Sequence, residues 1–136
     1  QFGDGTLRLT PWRALVLPGI AAIDLRPLSE AVDRLGLITK PDDPRRMIIG
    51  CSGLPRCAAA SVNVRSDALL LLGLPLSAPV HISGCAKGCA HPGTAPVTLV
   101  GAGGRYDLIR NGRASDPAPL RGLTMHQAVE LLRRGT

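Results

Sequence analysis

The chain has 136 residues, 45% hydrophobic and 19% charged: enough apolar material for one compact domain, or for one and a half small units sharing a core, and too much for a disordered chain. Phe2, Trp12 and Tyr106 are each single of their kind, so the core must be built from Leu, Val, Ile and Ala, and a base-stacking platform for single-stranded nucleic acid is disfavoured. The net charge of +6 is uneven, with seven basic and six acidic groups up to residue 50 and nine against four after it. Such a surface suits polyanions, small polycarboxylates included, while the absence of any Lys/Arg run longer than two argues against a nucleic-acid tail.

Along the chain, "TLRLT" alternates Thr6, Arg8 and Thr10 with Leu7 and Leu9, the pattern of a half-buried strand with Arg8 and Thr10 on its polar face. A second strand, "RALVL", is expected from Arg13, and then a helix in which Leu28, Ala31, Val32 and Leu35 share one face and Gly36 closes the end. These make a small α/β unit over about 1–40. "TKPDDPRR" reads as an exposed connection, "MIIG" (47–50) as a short strand, and 57–72 as a helix ending at Gly73. "PVHIS" (79–83), "APVTLVG" (95–101) and "RYDLIRNG" (105–112) read as strands, the last two joined through the hairpin turn "GAGG". "TMHQAVELLRRG" predicts a closing helix with Thr124 and Gln127 at capping-box spacing and Met125, Ala128, Val129 and Leu132 as its apolar stripe. The longest apolar stretch, "DALLLLGLPL", is broken by Gly73 and Pro75, so no membrane span is expected. The chain begins with Gln1 and carries no leader pattern, which suggests a piece of a longer protein.

All four cysteines lie where an apolar strand runs into a turn: Cys51 and Cys57 as C-x5-C around Gly53, Cys85 and Cys89 as C-x3-C around Gly88. Glycine lets the backbone fold closely and aim N–H groups at sulfur. Three chemistries compete. A structural zinc site ordinarily uses two-residue spacers, and both spacers here depart from that. A disulfide needs an oxidising compartment, which nothing suggests. A cubane iron–sulfur cluster needs four thiolates from loops able to embrace a bulky object, and wider spacings suit it.

C-x5-C followed about thirty residues later by C-x3-C, with "SGC" before the second pair, resembles the cysteine pattern of the sulfite/nitrite reductase superfamily. Within it, "RLTPWR" and "SGCAKGCAHP" most resemble the precorrin-3B synthases, whereas the reductases more often carry Pro-Asn where this chain has Ala86-Lys87. The resemblance implies an α+β chain: a ferredoxin-like half-domain over 1–44, with tetrapyrrole-facing strands, followed by a nitrite/sulfite reductase-type iron–sulfur domain with a mixed sheet over 45–136. It also implies that Cys51, Cys57, Cys85 and Cys89 hold a 4Fe–4S cluster, in an oxidoreductase of the cytoplasm.

The implied substrate is precorrin-3A, a tetrapyrrole rimmed with acetates and propionates. It would be hydroxylated at C20 by monooxygenation, with closure of a γ-lactone, in aerobic cobalamin synthesis. Arg8, Thr10, Arg13 and Lys87 are the implied substrate-binding residues. The resemblance also brings a mononuclear non-haem iron, whose ligands it does not place, an unspecified electron donor, and a first unit of the same protein that completes the substrate cradle. Two other readings stand beside it. One is a sirohaem-dependent sulfite/nitrite reductase piece with Cys89 bridging to the sirohaem; the other is a zinc-stapled module using its basic surface for an acidic partner. His126 is expected at the surface, His81 as a structural residue, and His91 as a residue fixing the second cysteine loop.

Overall fold

The computed structural model describes residues 2–135. The chain falls into two compact units, one running to Pro41 and the other starting at Asp42.

In the first unit, β1 (Arg8–Leu9) and β2 (Leu15–Val16) pair antiparallel, with Arg8 opposite Val16 and Leu9 opposite Leu15. Arg13, expected to open the second strand, instead sits in the connecting turn with φ at 60°, so the strand begins two residues later. A short 3-10 turn (Ala22–Asp24) leads into α1 (Leu25–Arg34). Beyond its last turn, Gly36 donates to the Asp33 carbonyl and Leu37 to that of Val32, a Schellman stop. The expectation of a half-buried first strand fails: Leu9 is 78% exposed, and no described residue of this unit is fully buried. Two residues per strand offer too little surface to cover an apolar side chain.

The second unit is α+β. A 3-10 turn (Pro44–Met47) precedes β3 (Ile48–Gly50), and α2 (Val64–Leu69), β4 (Val80–Ser83), β5 (Ala95–Ala102), β6 (Arg105–Gly112), β7 (Leu120–Leu123) and α3 (Met125–Gly135) follow. The strands form one mixed sheet in sequence order. β3, β4 and β5 run parallel, and β5–β6 and β6–β7 pair antiparallel. Alternation sorts the side chains. Val80, Ile82, Val97, Leu99, Tyr106 and Leu108 enter the main core with Leu71 of the segment after α2 and Met125, Ala128 and Leu132 of α3. On the other face Val100 and Ile109 pack with Ala114.

β5 turns into β6 through Gly103 and Gly104, at φ 55° and 77°, the two-residue hairpin read from "GAGG". The capping box forms as read: Gln127 N–H donates to Thr124 Oγ1, and Thr124 N–H to Gln127 Oε1. The helix expected over 57–72 does not form at that length. α2 starts after Asn63, whose side chain accepts from Ser66 N–H, and residues 57–62 are turns. β7 carries no strand pattern in the sequence, since "LRGL" is four residues long and holds a glycine at φ 67°. No helix among the described residues is long and apolar enough to cross a membrane.

Candidate cysteine site

β3 and β4 are parallel neighbours with Gly50 opposite Ile82, so Cys51 and Cys85 leave the sheet at the same carboxyl end. Cys51 N–H donates to the Ile82 carbonyl at 3.3 Å, extending the ladder one step. Gly84 N–H returns a bond to Cys51 Sγ at 3.2 Å, so a backbone amide already points at the first sulfur. The loop carrying Cys57 folds on itself and onto the end of β4. Cys57 N–H donates to Gly53, Leu54 N–H to Val62 and Ser61 N–H to Gly84, at 2.9 Å each. The Ala-rich stretch closes only single turns, Cys57 N–H onto Gly53 and Ala60 N–H onto Cys57, before Ser61 N–H and the Val62 carbonyl are drawn away to Gly84 and Leu54.

The second loop is pinned as well. Ser83 Oγ–H donates to the Cys85 carbonyl at 2.8 Å and His91 N–H to that of Gly88 at 3.0 Å. The His91 Nε2–H donates to the Thr94 carbonyl at 3.1 Å, a tautomer fixed by its partner, since a carbonyl only accepts.

The two loops fit together because glycines meet at the sheet end. A methyl on Gly84 would lie 2.6 Å from the Ala60 methyl, and one on Gly101 would lie 2.6 Å from the Gly84 carbonyl oxygen and 2.5 Å from Val62 Cγ2. Three backbone layers thus pack at distances that only hydrogen permits. Beneath the second loop lies His81, fully buried on the face opposite Val80 and Ile82, its ring edge-on to that of His91 at 5.7 Å between centroids.

All four thiols are free of disulfides; Cys51, Cys57 and Cys85 are half-buried and Cys89 is exposed. Among the described residues no three His, Cys, Asp or Glu side chains gather closely enough to grip a single ion. Lys87 projects from the turn between Cys85 and Cys89 and is exposed. Arg8, Thr10 and Arg13 come together on the β1–β2 hairpin of the first unit. There the Thr10 hydroxyl donates to the Ala14 carbonyl and accepts from Ala14 N–H, both at 3.1 Å, so it is engaged within the turn. His126 is exposed on α3.

One pair near the site carries no sequence signal. Tyr106 O–H donates to Asp67 Oδ2 at 2.6 Å, across 39 positions of sequence. Burial pushes the phenol well above its ordinary range, and the Asp67 carboxylate and, more weakly, the Cys51 sulfur push it the same way.

No protein-family model matches the chain. Over 118 residues it is 35% identical to a precorrin-3B synthase of a Sinorhizobium species, a match covering 83% of this chain and 26% of that protein. Over 127 residues it is 32% identical to the sulfite reductase (NADPH) hemoprotein beta-component of Xylella fastidiosa strain M23, covering 82% of this chain and 22% of that protein. The chain belongs to the nitrite/sulfite reductase-like superfamily. It spans about a quarter of the length of these superfamily relatives. The fold agrees: the solved structure of Mycobacterium tuberculosis NirA superposes with a TM-score of 0.70 at 24% identity, over 94% of this chain and 28% of that one.

Proposed function

We propose that this chain is the cluster-bearing part of a precorrin-3B synthase-type oxidoreductase. In this reading Cys51, Cys57, Cys85 and Cys89 hold a 4Fe–4S cluster, and Arg8, Arg13 and Lys87 meet carboxylates of precorrin-3A. The observation that carries the cluster is the pair of cysteine loops at the carboxyl ends of adjacent parallel strands, with four free thiols and an amide already donating to sulfur. Four thiol donors on two glycine-packed loops fit a cubane in donor type and number. The choice of tetrapyrrole rests on the similarity to the Sinorhizobium protein.

A cluster held there supplies one-electron transfer. The rest falls to the chain's own groups. The Gly84 amide stabilises negative charge on Cys51, Ser83 holds the backbone that aims Cys85, and the Lys87 ammonium offsets charge beside the loop. The guanidinium forks of Arg8 and Arg13 clamp acetate or propionate groups. Thr10 acts through the turn, its hydroxyl being taken up by Ala14. The overall reaction in this reading puts one oxygen atom of dioxygen on C20 of the macrocycle, releases the other as water at the expense of two electrons and two protons, and closes a γ-lactone from an acetate arm. The electrons come from a donor outside the chain, and a mononuclear iron and the first unit of the longer protein complete the site.

A second reading, a sirohaem-dependent sulfite or nitrite reductase piece, has one observation in its favour: Cys89 is the exposed member of the four, as suits a sulfur shared with a second metal. The discriminating experiment reconstitutes the anaerobic protein with iron and sulfide and titrates precorrin-3A and sirohaem in parallel. Saturable binding of precorrin-3A alone supports the first reading, and new sirohaem bands support the second. Binding of neither overturns both.

A further inference from the structure

Trp12 is the chain's sole tryptophan and is 82% exposed, at the tip of the β1–β2 hairpin. The turn beneath it is tied by four hydrogen bonds. Thr10 N–H donates to Ala14 at 3.0 Å and Arg13 N–H to Thr10 at 3.2 Å, and the Thr10 hydroxyl adds its two bonds to Ala14. Pro11 fixes a further backbone angle. A turn held this firmly presents its side chains with little ordering left to do on binding, and an indole brings a large rigid face governed by only two torsions. The same hairpin carries Arg8 and Arg13, while Leu9, also exposed, alternates to the strand face opposite Arg8.

A bare polyanion needs only the guanidinium groups, and a purely apolar ligand needs only the ring. Together they fit a broad conjugated body with a carboxylate rim. We infer that Trp12 is a stacking platform for the tetrapyrrole, its indole lying against the macrocycle while Arg8 and Arg13 take rim carboxylates. This rests on the tetrapyrrole reading above and adds to it a residue that sets ligand class by shape instead of charge.

The test uses uroporphyrin III, a macrocycle rimmed with acetates and propionates, titrated into the chain and followed by its Soret band. W12A weakens binding roughly tenfold to a hundredfold, the worth of one ring stacked on an aromatic side chain, and W12F stays within about threefold of wild type. W12A leaves both the salt dependence of binding and the thermal unfolding unchanged, whereas R8A flattens the salt dependence. If W12A binds like wild type while R8A is weakened, the inference is overturned and the tetrapyrrole reading stands. If the wild-type chain binds no porphyrin, both fall. An indole emission that is blue-shifted in the free protein and moves with protein concentration assigns Trp12 to a contact between copies, which also overturns the inference.

Discussion

Replacing Gly84 by alanine tests whether the cysteine loops depend on glycine packing. The new methyl would lie 2.6 Å from the Ala60 methyl and 3.4 Å from Ala60 Cα and Gly53 Cα. Ordinary carbon contacts lie at about 3.5–4.0 Å, so the first cysteine loop must retreat by roughly 1 Å. Overpacking of this kind costs about 1–3 kcal/mol, and in a unit of this size each kcal/mol lowers the melting temperature by roughly 4–8 °C. The retreat also strains the Ser61 to Gly84 bond and the Gly84 bond to Cys51 Sγ, so on the proposed reading cluster retention falls along with stability.

Gly73→Ala is the control, because nothing lies within 4 Å of its added methyl. It leaves stability level or raises it by about 0.4–1 kcal/mol through the unfolded chain. The assay is urea unfolding of the metal-free protein followed by circular dichroism, with iron and sulfide measured on reconstituted samples. The double variant G84A/A60G removes the methyl that is struck and recovers part of the loss, as a positive coupling in the mutant cycle. If G84A unfolds at the wild-type urea midpoint, or the cycle shows no coupling, the packing argument is refuted.

Tyr106→Phe removes a hydrogen bond to a carboxylate and lowers stability by about 1.5–3 kcal/mol, read from urea midpoints. The same variant has a pH signature. The folded protein holds the Tyr106 proton more tightly than the unfolded chain does, so above about pH 10 the unfolded state binds fewer protons and stability falls as pH rises. Y106F removes that part of the slope, as paired wild-type and variant melts between pH 8 and 11, on the order of three units, will register. Thr124→Ala opens the capping box of α3 and costs about 1 kcal/mol in thermal unfolding, with iron content unchanged. Lys87→Ala leaves stability within about 0.5 kcal/mol and, on the proposed reading, shifts the cluster midpoint potential negative in a redox titration, because a positive charge leaves its surroundings.

Much of the scaffold was legible because local pattern and tertiary demand agree there. The stripe of α3 enters the core where its spacing says it should, and Gly36 and the Gly103–Gly104 pair end and turn the chain as glycines do. Legibility stopped where long-range bonds overrode composition. Residues 57–62 have helix-forming alanines, yet their backbone ties to Gly53, Leu54 and Gly84. The Tyr106–Asp67 pair spans the sheet and α2, and neither "RYDLIRNG" nor "SDALL" announces the other. In the candidate site, the strand-end position of both cysteine pairs and the glycine within each spacer were readable. The Gly84–Gly101 packing was not, since a glycine's close neighbours lie in other strands. Thr10 looked like a ligand donor by strand alternation, and the turn that occupies its hydroxyl depends on where β2 begins.

The central claim is that four cysteines on two loops hold one cubane. It is tested most directly by iron, acid-labile sulfide and zinc content of the anaerobically purified chain, alongside C51S, C57S, C85S and C89S. The account predicts about four irons and four sulfides per chain in the wild type, with cluster content falling sharply in each serine variant. One zinc per chain without sulfide would contradict it and leave the cysteine loops as a structural staple.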